Sequence, residues 1–141
     1  MRFPYTRSLG IAATCIFPAL AHAAPVTMQC VVAGHGSGWI ADQIFFEYDS
    51  ERDAARVVDG IILHFEKKPK VAEISEDTAK KLVLNWRVDT RVSSQSAKMA
   101  YRLAYFKQSG KVTISAHPHG YADNFSARGR CQRIKQALPT S

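Results

Sequence analysis

Apolar and polar residues alternate with a period of two through the middle of the chain. Leu82, Leu84, Trp86 and Val88 interleave with Lys81, Asn85, Arg87 and Asp89, and only Val83 breaks the polar set. A period of two turns one face of an extended strand to a core and the other to water. The polar turn Ser93-Ser94-Gln95-Ser96 follows, and Met99, Tyr101, Leu103 and Tyr105 form a second alternating face. Gln108-Ser109-Gly110 is a turn signal. Val112, Ile114 and Ala116 then resume the period. Three strands joined by short polar loops predict an antiparallel meander.

The upstream half reads the same way. Ile44, Phe46 and Tyr48 alternate with Gln43 and Glu47, with Phe45 on the wet side. A polar turn over 49–53 leads to two apolar runs, 55–58 and 61–65, flanking Asp59-Gly60. That pair suits a two-residue hairpin turn or a bulge. Val26, Met28, Cys30 and Val32 mark a first strand with a buried cysteine, and residues 125–134 a closing strand with another. Residues 75–81 (SEDTAKK) fit one helical turn capped by Ser75. Seven or eight short strands with frequent turns predict an all-β fold, a small antiparallel meander closing into a β-barrel or sandwich. Trp39, Trp86, Met99, Tyr101, Tyr105 and several Phe are enough to fill a barrel interior. The alternative is an interior open to one small ligand.

The first residues have a different character. Arg2 and Arg7 precede an apolar, uncharged run over 9–20 (LGIAATCIFPAL), and Ala21-His22-Ala23 supplies small residues before a cut at Ala24. This is the order of a secretory signal peptide over residues 1–23. The run is about 12 residues and contains Pro18, whereas a membrane span needs roughly 20. One β-rich domain over 24–141 is expected to remain, with 136–141 as a disordered tail, in the periplasm or secreted. Cys15 leaves with the signal. Cys30 and Cys131 remain, an even number in an oxidising compartment, and predict a disulfide that makes the first and last strands neighbours.

Composition narrows the class. With 141 residues, 46% hydrophobic and 22% charged, the chain suits one globular domain and excludes collagen-like, coiled-coil and wholly disordered readings. The formal net charge is +7, and +5 without Arg2 and Arg7. Basic residues are spread along the chain, densest at Lys67, Lys68 and Lys70 and at Arg128, Arg130, Arg133 and Lys135. Neither group is a nucleic-acid motif. Such basicity favours contact with anionic surfaces.

Candidate chemistry is sparse. His117-Pro118-His119 on an extended segment, with Asp123 beyond and His35 in a glycine-rich loop, carries ligand types that suit zinc or copper. Loop histidines of this kind are more often plain surface residues, so neither a metal nor another cofactor is expected. His64 lies in an apolar run read as a strand. No GxSxG, HExxH, P-loop or GxGxxG spacing occurs, and no enzymatic activity is expected.

Tyr101-Arg102-Leu103, Lys107, Gly110, Ser115-Ala116, Gly120-Tyr121, Asn124-Phe125 and Ala127-Arg128-Gly129-Arg130-Cys131 carry a resemblance. Over residues 40–131 the chain resembles small exported proteins of alphaproteobacteria that have no assigned activity. The resemblance implies a shared closing Gly-x-Cys and no catalytic residues. The meander is also similar, at the level of fold only, to the small barrels that inhibit lysozyme in the periplasm. Their inhibitory motif is absent here, and fold alone transfers no function. The expected function is therefore a monomeric, non-enzymatic envelope protein that binds a protein or an anionic envelope component. A small-ligand carrier is the alternative.

Overall fold

The structure, a computed structural model, describes residues 17–21, 23–34 and 38–140. Most of the expected signal peptide, residues 1–16 with His22, lies outside the described residues, as does His35. Among the described residues no helix is long and apolar enough to cross a membrane.

The chain forms strands β1 (Val26–Gly34), β2 (Gln43–Asp49), β3 (Ala54–Asp59), β4 (Lys70–Asp77), β5 (Lys81–Val92), β6 (Gln95–Phe106), β7 (Lys111–Pro118) and β8 (Phe125–Ile134), of which β4 is not expected from the sequence. Each pairs antiparallel with the next, and β8 pairs back onto β1 to close a barrel. Closure leaves no sheet edge free along the ring, which removes the usual route to edge-to-edge aggregation. The strands alternate as their sequence requires. Leu82, Leu84, Trp86 and Val88 of β5 face Tyr105, Leu103, Tyr101 and Met99 of β6 across the register, and all are buried. Phe46, Ile44, Val57, Ile114 and Ala116 complete a core filled by side chains. Trp86 and Tyr101 stack at 5.3 Å between ring centroids, 4° from parallel. Val83 is buried as well, on the outer face opposite Ala104, which explains the one break in the polar set of β5.

The expected disulfide is present, and it locks the closing seam. Cys30 and Cys131 stand directly opposite each other in the β1–β8 register. The Cys131 N–H donates to the Gly110 carbonyl at 2.8 Å, away from β1. The pair therefore occupies a non-hydrogen-bonded position, where facing strands come closest, and the Cα atoms are 3.9 Å apart. Two residues upstream, Gly129 lies opposite Val32. A Cβ there would sit 1.9 Å from the Val31 carbonyl oxygen, so only glycine lets β8 approach β1.

Two expected local structures are replaced. The run 61–65 is not a strand after a hairpin turn at Asp59-Gly60. It forms α1 (Gly60–Glu66), capped by Asp59, whose carboxylate accepts from the Ile62 N–H at 2.8 Å. The physical reason is the cap together with burial of Ile62, which is wholly inaccessible, against the end of the barrel. His64 consequently lies on the helix, exposed and edge-on to Phe65. Residues 75–81 do not form a helical turn either. Strand β4 runs through Ser75 to Asp77, with a register shift at Ser75. Thr78 then makes the turn, its hydroxyl accepting from the Lys80 and Lys81 N–H groups. Pairing with β5 decides this segment, because it satisfies more backbone groups than one isolated helical turn.

The strand order gives the barrel two unlike ends. The β2–β3, β4–β5 and β6–β7 turns share one end, where Ser50 and Lys107 both donate to Asp77 and the Lys107 ammonium lies 5.6 Å from the centre of the Tyr48 ring. At the other end are the β1–β2 loop, α1, the tip of the β5–β6 hairpin and the β7–β8 loop. The Tyr101 hydroxyl ties the first of these down by donating to the Trp39 carbonyl at 2.9 Å. Beyond β8 the chain continues without strand or helix, and Leu138 is buried.

Candidate functional site

The wet faces of β5, β6 and β7 are brought side by side by their pairing. Arg87 and His117 flank Ala100 on its two neighbouring strands, while Lys98 and Arg102 lie two residues to either side of it along β6. Diagonal neighbours on adjacent strands stand about 7–8 Å apart. Three long cationic side chains and an imidazole thus form a ring around one methyl group. The small centre and long rim make a depression. Arg87, Lys98, Ala100, His117 and His119 line a hollow of about 300 Å³. Arg87, Ala100 and His117 also line an adjoining one of about 650 Å³, with Arg102, Ser115 and Glu73.

The cations of this wall outnumber its carboxylates, Glu73 and Asp89, and close no ion pair with them. The ion pairs among the described residues use Arg52, Arg56, Lys70, Lys81 and Lys107. Arg87, Lys98 and Arg102 enter none of them. Asp89 stands opposite Lys98 in register without closing a pair. Like charges held within a Debye length of about 8–10 Å repel one another, and a bound anion would relieve that repulsion.

His117 and His119 therefore share a hollow, but with cations and not with further ligands. The His117 Nδ1 lies 2.9 Å from the Asp123 backbone carbonyl, so the ring holds the β7–β8 loop by its main chain. Asp123 itself lines a different cavity. No group of three or more His, Cys, Asp or Glu residues is placed to hold a metal ion among the described residues. Arg87 and Lys98 beside the imidazoles disfavour a dication there. Cys30 and Cys131 are joined to each other, so neither is a nucleophile.

No family model matches the chain, and no curated protein or solved structure is detectably similar to it.

A second concavity opens at the helix-bearing end of the barrel. It holds about 410 Å³ and is lined by Trp39, Thr90, Gln95, Ser96, Ala97, Met99, Pro118, Tyr121, Asp123 and Phe125. Sequence reading missed both places. Arg87, Ala100 and Arg102 look like ordinary solvent-facing positions until the register aligns them. Trp39, Tyr121 and Phe125 are separated by loops whose meeting point depends on barrel closure.

Proposed function

We propose that this protein is a non-enzymatic, exported binding protein whose β5–β7 wall takes an anionic glycan of the cell envelope. The observation that carries the reading is the ring of Arg87, Lys98, Arg102 and His117 around Ala100, with none of the three cations in an ion pair. Guanidinium groups suit carboxylate, sulfate and phosphate through paired N–H donors. A shallow wall admits a polymer more readily than it encloses a small molecule. The Cys30–Cys131 bond and the arrangement of residues 1–23 support export of the domain.

The test uses heparin as the anionic glycan probe. The protein is expected to bind, with affinity falling as salt rises. Arg87→Gln/Arg102→Gln should weaken binding about tenfold or more. The control Arg52→Gln/Arg56→Gln removes the same charge from residues engaged with Asp49 and Glu47, and should change it little. Equal loss in the two double variants would reduce the effect to net charge and overturn the reading.

A further inference from the structure

The cavity at the helix-bearing end differs in chemistry from the wall. Its lining contains three aromatic residues, Trp39, Tyr121 and Phe125, together with Met99 and Pro118. Asp123 is the one charged residue among those lining it. On a protein with a formal charge of +7, a mouth whose only charge is negative is distinct from the cationic wall. Aromatic faces attract cations through the ring quadrupole, and tryptophan does so best. A nearby carboxylate adds a direct electrostatic attraction. Apolar methyl groups on such a cation gain further by leaving water.

The site has built supports. Thr90 is buried, and its hydroxyl is already used in a bond to the Ala97 carbonyl at 2.9 Å. The Trp39 carbonyl is held by Tyr101, and His117 contacts the backbone of Asp123. The lining therefore combines strand ends with two loops, one carrying Trp39 and the other Tyr121 and Asp123, that are pinned to β6 and β7. At about 410 Å³ the cavity falls in the range of small-molecule sites.

We infer that this mouth binds a small organic cation of the quaternary or methylated ammonium class, with Trp39, Tyr121 and Phe125 facing the methyl groups and Asp123 countering the charge. This site is separate from the wall, although His117 of the wall holds the loop that carries Asp123, and Asp123→Asn or Tyr121→Leu should leave heparin binding intact.

The experiment compares choline with 3,3-dimethylbutan-1-ol, its uncharged carbon isostere, by calorimetry or ligand-observed NMR on the oxidised protein. Choline is expected to bind saturably and about tenfold more tightly than the alcohol. Asp123→Asn and Tyr121→Leu both alter exposed loop residues, so the barrel should keep its circular dichroism. Asp123→Asn should weaken choline several-fold and leave the alcohol unchanged. Tyr121→Leu should weaken choline more than the alcohol. Equal affinity for the two ligands would show a merely apolar pocket and overturn the inference. So would the absence of saturable choline binding up to tens of millimolar, or an unaltered choline affinity in Asp123→Asn.

Discussion

At the residue scale, Gly129 and Gly60 show how context decides what glycine contributes. Gly129 faces the backbone of β1 at a distance that leaves no space for a methyl group. Gly129→Ala forces the closing strands apart, and it should cost about 3 kcal/mol, the upper end for overpacking. Gly60 opens α1, and a Cβ there would meet nothing within 4 Å. Gly60→Ala should therefore stabilise, by about 0.5–1 kcal/mol, through helix propensity and a less flexible unfolded chain. Urea midpoints for the two variants should move in opposite directions. Parallel shifts would contradict the packing described for the seam. Gly-x-Cys was visible in the sequence, but its reason was not. The reason lies far away in the sequence, in the carbonyl of Val31.

At the element scale, α1 depends on its cap, and the cap carries a pH signature. Burial pushes the Asp59 carboxyl pKa up, against the downward pull of the Ile62 and Ile61 amides. The Asp59 charge in turn adds to the burial that raises the Tyr101 hydroxyl. With the folded pKa above the unfolded one, Asp59 contributes stability that is fully present below the unfolded value. That contribution is lost as pH rises through the folded pKa. Asp59→Asn keeps an oxygen for the Ile62 N–H without the buried charge. It should be at least as stable as the parent at neutral pH and show a flatter dependence in the acid range. Asp59→Ala loses the cap and should cost about 1–2 kcal/mol. Thermal unfolding from acid to neutral pH separates the two, and equal destabilisation by both would contradict the burial effect. The helix itself was not legible. Five residues, IILHF, are too few to show a period, and Asp-Gly signals a hairpin turn as strongly as a cap.

At the scale of the molecule, the seam between β1 and β8 holds the ring closed. The disulfide spans a sequence separation of 101, and the chain-entropy account gives about 4–5 kcal/mol for a loop near 100 residues. Cys30→Ala/Cys131→Ala should lower the melting temperature by on the order of 15 °C. The barrel should still form at low temperature, because β1 and β8 remain paired from Thr27↔Ile134 to Gly34↔Ala127. Circular dichroism of the double variant checks both statements. An unchanged melting point would show that the strand pairing alone holds the seam.

The sequence by itself determined the strands over 82–88, 99–105 and 112–116, because a period of two in burial is written directly into residue order. It pointed to the terminal disulfide too, since Cys30 and Cys131 are the two cysteines outside the expected signal peptide. Tertiary structure alone decided that 61–65 coils into a helix and that 75–77 joins β4. Local propensity at both places is weaker than the pairing and burial that surround them. It alone decided where function can reside. Arg87, Lys98, Arg102 and His117 become one surface only through the β5–β6–β7 register. Trp39, Tyr121, Asp123 and Phe125 meet only because the barrel closes and places their loops at the same end. Spacing along the chain encodes neither, because cross-strand neighbours are set by register and closure.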